Sequence, residues 1–428
     1  MSDRDLIMSN LTSTIINARP SPVLKKNTQV FCYSFLRQHV MDLAKEKQHT
    51  LDLVSHKNLI QEFSSARLDI YSYEDIEVRK EIHHEFLCYI LIVPESYGEF
   101  YTHKFFTDLP NEWLNSFPGK LLTKISISFQ STNNEIKIEN ISKLFGENQL
   151  IGNVAESNSA RIWTDFYGSP NKGLLRVLIE DISLGPKRRG RLCQNILELE
   201  NYRSIAEIGF PIAEEIIFKL EAQEISLALI VNEISQASDT SIQQGLLNKL
   251  LDLSVKSENW RSKTGHRFSA TAAYQKIFED RLINLDETKV LGYQSFSSFF
   301  NRNTMPTFRT CEAANDRLNV FIVRIDRAIS LLSTRIRSTM EQQNNDLLTS
   351  VDEQNKQQIK LQETVEAFAI VAISYNGSAL INLLLDSLNA QGFSINIPFW
   401  TSVSIPSTFL IAFILLRVLR KKPSKLKS

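Results

Sequence analysis

The sequence predicts an α+β fold: an N-terminal mixed α/β sheet domain, then a long-helix bundle, then a C-terminal two-helix transmembrane hairpin. Three observations predict it. Short runs rich in Ile, Val, Phe and Tyr recur through the first part of the chain, helical spacing follows Gly190, and two apolar stretches lie near the C-terminus. The predicted domains are residues 1–185, 186–364 and 365–428.

Six short apolar segments in the first domain have the composition of half-buried strands. They are 30–36, 68–73, 86–93, 122–129, 161–166 and 174–184. Two helix-like segments, 36–47 and 111–117, lie among them. We therefore expect a mainly antiparallel or mixed sheet, and the strand order is left open.

Helical periodicity dominates the second domain. Residues 307–376 contain neither Gly nor Pro, and they include a heptad-like seam. The seam residues are Leu318, Ile322, Ile325, Ile329, Leu332 and Ile336. This pattern is compatible with one long helix or with an antiparallel bundle that has one break. Residues 239–241 and 263–265 are expected to be connections.

Two segments near the C-terminus, 367–385 and 397–416, are apolar enough to span a bilayer, which takes about 20 residues. The link 386–396 contains no Lys or Arg, whereas six basic residues follow the second segment. They are Arg417, Arg420, Lys421, Lys422, Lys425 and Lys427. Since basic residues stay on the cytoplasmic side, we expect a hairpin with its N-terminal domain and tail in the cytoplasm. The alternative is that the first segment is a buried core helix and only the second spans.

The first apolar segment contains six small or polar residues: Ser374, Tyr375, Asn376, Gly377, Ser378 and Asn382. The candidates for helix contacts are Ser374, Asn376, Gly377 and Asn382. Such residues commonly hold membrane helices together, within the hairpin or between subunits. The alternative interpretation is that they line a pore.

A basic turn precedes the first long helix. Lys187, Arg188, Arg189 and Arg191 lie at its start, where free backbone N–H groups favour anions. Phosphate or lipid headgroups are the candidate ligands, and a solvated basic surface is the alternative. There is no P-loop motif, Gly-x-Ser-x-Gly elbow or His-Glu-x-x-His pair in the sequence, so we expect no catalytic residue, no metal site and no cofactor.

Composition sets broad limits. The chain has 428 residues with 48 basic and 48 acidic side chains, so no global charge favours nucleic acid. The four cysteines are far apart in sequence and are expected to be buried in a reducing compartment. The N-terminus has no long apolar run, which predicts that the bulk of the chain stays in the cytoplasm.

Several segments resemble motifs of a bacterial family of predicted membrane-anchored proteins, domain of unknown function 3422. The matching segments are Asn17-Ala18-Arg19-Pro20 ("HARP" in the family), His84-Glu85-Phe86 ("HTEF"), Thr164-Asp165-Phe166 ("TDF"), Gly190-Arg191-Leu192 with Glu198 to Arg203, and Arg267 to Thr271 with Ala273-Tyr274 ("RFSATRAY"). Asn17 replaces the family histidine, which argues against catalysis there. The resemblance implies a bacterial inner-membrane protein and supplies no catalytic residue.

Three functions compete at this point. The first is a membrane-anchored, non-catalytic scaffold or regulatory protein, expected to be homo-oligomeric and to contact the lipid bilayer. The second is an ion transporter or channel, because the layout resembles that of the CorA-type magnesium transporters, although their Gly-Met-Asn loop is missing. The third, ranked last, is an enzyme that acts on an anionic substrate at the basic turn. An anionic lipid or a cation would be the additional partner.

Overall fold

The computed structural model describes residues 19–37, 43–94, 105, 111–131, 138–146, 148–166, 173–237, 239–391 and 396–420. The chain forms two compact units. The first comprises Met1–Gln236 and Leu246–Ile329, and the second comprises Ala237–Gly245 and Ser330–Ser428.

A ten-stranded mixed sheet organises the first unit. Its strands are β1 (Gln29–Arg37), β2 (Ile60–Ser64), β3 (Leu68–Tyr73), β4 (Ile76–Ile82), β5 (Phe86–Val93), β6 (Gly119–Ser131), β7 (Ile151–Ala155), β8 (Ala160–Thr164), β9 (Leu174–Asp181) and β10 (Thr288–Lys289). The spatial order is β10-β7-β8-β9-β6-β1-β5-β4-β3-β2. The β6–β9 pair is parallel and its neighbours in the sheet are antiparallel. The predicted mixed sheet is therefore confirmed.

Nine helices accompany the sheet within the described residues. They are α1 (Leu43–Lys57), α2 (Asn111–Ser116), α3 (Ile138–Phe145), α4 (Pro186–Glu207), α5 (Gly209–Gln236), α6 (Thr240–Ile283), α7 (Phe296–Asn303), α8 (Met305–Ala390) and α9 (Ile397–Arg420). An N-terminal mixed sheet followed by long helices makes the fold α+β, as the sequence predicts.

Strand alternation divides the core between the two faces of the sheet. In β1, Val30 and Cys32 face the core that includes α4, whereas Phe31 and Phe35 face the core that includes α1 and α2. Both faces are apolar because helices cover both, which explains why β5 and β9 are buried at every position. All four cysteines are free and buried.

Helix α4 packs directly on the sheet. Leu192, Ile196 and Leu199 lie in the same apolar core as the strands, as their helical spacing indicates. Pro186 stands at the start of this helix, where its missing N–H costs nothing. Helix α4 therefore shares one apolar core with the strands that precede it in the sequence.

The expected connection at 263–265 is wrong, because α6 runs through it from Thr240 to Ile283. A glycine in a helix interior costs about 1 kcal/mol, and burial of Phe268 and Phe278 on the same helix outweighs that. Helix α8 is a single helix of 86 residues and has no break. Its seam residues Leu318, Ile322 and Ile325 are buried, as the heptad-like spacing predicts.

In the second unit every side chain between residues 340 and 365 is exposed, which includes the apolar Leu347 and Leu361. Two helices within the described residues, the one that ends at Ala390 and α9, are long and apolar enough to cross a membrane. They correspond to the predicted segments 367–385 and 397–416.

Candidate functional site

In the basic turn at the start of α4, Arg189 has a structural role. Arg189 is buried, and its Nε lies 2.5 Å from Asp181 Oδ2 at the end of β9. It also donates to the carbonyl oxygens of Leu24 and Leu184, at 2.7 and 2.8 Å. This arginine ties three segments together.

The other three cations of the turn separate. Arg188 pairs with Glu156, at 3.0 Å between Nη2 and Oε2, and also donates to the Glu156 carbonyl. Lys187 is exposed in the first turn of α4. Arg191 is exposed on another side of the helix, where it lines a cleft. The structure therefore does not bring the four predicted anion-binding residues together around one point.

The N-terminal segment lies across α4 beside this turn, and Gly190 makes that possible. A Cβ atom at Gly190 would lie 1.6 Å from the carbonyl oxygen of Pro22. Leu24 N–H also donates to the Pro186 carbonyl at 3.2 Å. Only glycine allows this close approach, and the approach places Arg19 and Ser21 next to the helix.

A solvent-open cleft of about 410 Å³ lies between this segment, α4 and the end of α6. Its wall carries three arginines, Arg19, Arg191 and Arg281, with amide side chains from Asn195 and Asn284. Glu198 and Glu156 also reach it. Sequence analysis assigned only Arg191 of these three arginines to an anion site, because the other two are distant from it in sequence.

Hydrogen bonds order the floor of the cleft. Arg281 Nε lies 2.5 Å from Glu198 Oε2, and Gln194 Nε2 donates to Glu198 Oε1 at 2.9 Å. Ser21 Oγ donates to Gln194 Oε1 at 2.6 Å. Asn195 donates to the Arg281 carbonyl at 2.9 Å. Both carboxylate oxygens of Glu198 thus accept hydrogen bonds from neighbouring side chains, so Glu198 is a structural part of the cleft.

His83 lies behind this floor, buried and stacked on Phe86 with ring centroids 4.0 Å apart. Arg19 Nη1 lies 2.7 Å from its Nε2, Glu81 Oε2 lies 3.8 Å from the same atom, and Tyr202 Oη lies 3.4 Å from Nδ1. Burial lowers the pKa of His83, and the Arg19 charge lowers it further, while Glu81 opposes both. The imidazole is therefore neutral at neutral pH. His84 is exposed.

The segments that carry the family resemblance meet in this region. Arg19 contacts His83, and Arg267 Nη2 donates to Glu85 Oε2 at 2.6 Å. Tyr202 and Tyr274 stack with centroids 5.8 Å apart. Residues that are more than 250 positions apart in the chain therefore form one polar neighbourhood, which linear motifs did not reveal. Asn17, in the first of these segments, lies outside the described residues.

The second unit has its own polar seam between α8 and α9. Ser378 Oγ lies 2.9 Å from Thr408 Oγ1, and Thr408 also lies 3.4 Å from the Ser374 carbonyl oxygen. A Cβ at Gly377 would lie 3.4 Å from Thr408 Cγ2. Ser374 and Gly377 thus lie in the contact between the two helices, where small residues allow close approach.

The two asparagines of α8 have different surroundings. Asn376 is exposed, away from the seam. Asn382 is half-buried, and its Oδ1 is enclosed and accepts no hydrogen bond within the part of the chain that the structure describes. The basic tail residues Lys421, Lys422, Lys425 and Lys427 lie outside the described residues, whereas Arg417 at the end of α9 is exposed.

Comparison with known proteins gives one family. The family model described as "Protein of unknown function (DUF3422)" matches residues 12–423, nearly the whole chain. No curated protein matches the sequence.

Proposed function

We propose, from the premise that this chain belongs to the DUF3422 family, that it is a bacterial inner-membrane protein whose α8–α9 hairpin crosses the bilayer. In this proposal the first unit and the tail lie in the cytoplasm, and the protein is a homo-oligomeric scaffold or regulatory protein without catalysis. The observation that carries the proposal is the distribution of side chains in the hairpin.

The hairpin exposes its large apolar side chains, and hydroxyl groups of its two helices lie in the contact between them. Phe368, Leu383 and Leu410 are exposed to 72, 66 and 58%. The hydroxyl groups of Ser378 and Thr408 face each other across the seam. In water this arrangement would be unfavourable by about 25 cal/mol for each Å² of exposed apolar surface. In hydrocarbon the same surface is favourable and the buried hydroxyl contacts help to hold the helices together.

The charge distribution supports the orientation. The link 386–396 has no basic residue, whereas the segment that starts at Arg417 has six. Positive residues stay on the cytoplasmic side, which supports a cytoplasmic location for the tail and, with two crossings, for the first unit.

The exposed helical segment 340–365 supports self-association. Its heptad positions, in steps of four and three, are Met340, Asn344, Leu347, Val351, Gln354, Gln358, Leu361 and Val365. Since most helical stability comes from packing of an apolar face, this stripe requires a partner. The partner that fits best is a second copy of this chain, because a common membrane would hold the two helices parallel. In parallel helix pairs an asparagine at a core position, here Asn344, fixes the register.

The first test is fractionation. We expect the full chain to stay in the membrane pellet after carbonate extraction and a chain truncated before Val365 to be soluble.

The orientation is tested by labelling. In intact cells an impermeant maleimide should label Ser387→Cys in the link and should not label Ser424→Cys in the tail. A labelled Ser424→Cys would reverse the orientation, and a soluble full chain would exclude the anchor.

The second test is disulfide cross-linking in membranes. Leu347→Cys should give a covalent dimer, and Thr349→Cys, on the opposite face of the helix, should not. Equal yields would contradict association through this stripe. Cation flux into liposomes that is lost in Asn376→Leu would instead favour the transporter alternative.

A further inference from the structure

We infer that the arginine-lined cleft of the first unit binds a small phosphate-bearing anion. This site is separate from the membrane hairpin, and it shares only Arg191 with the anion site that the sequence predicts. The inference rests on the charge balance of the cleft and on the segments that build it.

The carboxylates near the cleft are already neutralised. Glu156 pairs with Arg188, and Glu198 pairs with Arg281. Arg19 and Arg191 have no carboxylate partner within the described residues. Two positive charges therefore remain uncompensated around one cleft, and the remaining N–H groups of Arg281, whose side chain is 34% exposed, add donors to them.

Each of the three arginines of the cleft is held in position by a different part of the first unit. Arg19 is placed by the contact of Pro22 with Gly190, Arg191 by α4, and Arg281 by its bonds to Glu198. Asn195 and Asn284 supply amide groups to the same wall. Planar guanidinium groups bind phosphate oxygens in pairs, which gives both affinity and geometry. A ligand with one or two phosphate groups matches the number of free cations and fits within about 410 Å³.

The phosphate could belong to a soluble metabolite or to a lipid headgroup, and one experiment separates these sources. The full chain is reconstituted in nanodiscs of neutral lipid and titrated with inorganic pyrophosphate by calorimetry. We expect saturable binding, weakened about tenfold or more in Arg191→Gln, because a charge-assisted hydrogen bond is lost. The same titration in discs that contain phosphatidylglycerol is the lipid arm. If phosphatidylglycerol weakens pyrophosphate binding by the unmodified chain, and does not weaken it in Arg191→Gln, the cleft binds a lipid headgroup. If phosphatidylglycerol leaves pyrophosphate binding unchanged, the cleft binds a soluble phosphate compound.

Lys187→Gln is the matched control, since Lys187 is exposed on the same helix but does not line the cleft. It should leave the affinity within twofold. Asn284→Asp, which keeps the shape and adds a negative charge at the cleft, should weaken binding as Arg191→Gln does. Equal losses in Lys187→Gln and Arg191→Gln, or no binding by the unmodified chain, would overturn the inference.

Discussion

The sheet core of the first unit and the α8–α9 hairpin place their side chains in opposite ways. The sheet encloses Phe35, Phe86 and Phe129 almost completely, and it also encloses charged pairs such as Arg189–Asp181. The hairpin exposes its large apolar side chains and encloses hydroxyl groups. The difference supports the proposal that the hairpin lies in a bilayer, since a protein surface exposes the side chains that its surroundings favour.

The largest expected effect concerns the buried ion pair. Asp181→Asn leaves the Arg189 charge buried without its partner, so we expect a loss of about 3–5 kcal/mol in the free energy of unfolding. Asp352→Asn is the control in the second unit, because the Asp352–Lys356 pair is more than 60% exposed on both sides. Such exposed pairs contribute about 0–1 kcal/mol. Urea denaturation of the detergent-solubilised chain measures the free energy of unfolding of each variant. Similar losses in Asp181→Asn and Asp352→Asn would contradict the structural role of Arg189.

The next effect compares two exposed leucines. Leu410→Arg places a charge near the middle of α9, which costs about 2.5–3.5 kcal/mol in membrane insertion. Leu291 is 98% exposed in the first unit, so Leu291→Arg should change nothing. We expect the fraction in the membrane pellet to fall for Leu410→Arg alone. A pellet fraction unchanged by Leu410→Arg would mean that this face of α9 does not contact lipid.

A smaller effect comes from helix glycines. Gly190→Ala forces the Cβ into the Pro22 carbonyl, and overpacking of this kind costs about 1–3 kcal/mol. Gly265→Ala, in α6 with no atom within 4 Å of its Cβ, should stabilise by about 0.5–1 kcal/mol. Thermal melting should show opposite shifts of the Tm. Shifts of the same sign would show that the close approach at Gly190 is unimportant.

The smallest effect depends on pH. His49 is buried between Tyr89 Oη and the Trp113 carbonyl oxygen, at 3.0 and 2.9 Å, and burial lowers its pKa to about 4. The unfolded chain, with a His pKa near 6.5, takes up this proton first. Stability should therefore fall by on the order of 1 kcal/mol as the pH is lowered from 7 to 5.

His49→Gln should flatten this pH dependence, as measured by the Tm at each pH. All seven histidines precede residue 267, so membrane association should not change over the same pH range. An unchanged slope in His49→Gln would mean that other groups dominate the acid sensitivity.

Local patterns were sufficient for most elements. The strands at Phe86–Val93 and Leu174–Asp181 followed from their apolar, β-branched and aromatic composition, and the two apolar helices followed from the length of their apolar runs. The seam at Leu318, Ile322 and Ile325 followed from helical periodicity, because one face of a helix recurs about every 3.6 residues. The turn-like residues at 263–265 were misleading, since burial of nearby phenylalanines on the same helix outweighs them.

The sequence by itself determined the class of fold, the apolar hairpin and the charge behind it, because these properties depend on composition within short windows. Only the tertiary structure decided which cations are free. Arg189 and Arg191 are two residues apart, yet one is buried against Asp181 and the other lines a cleft with Arg19 and Arg281. Whether a charge meets a carboxylate, a carbonyl or water depends on how the separate elements pack against one another, and no local pattern records that.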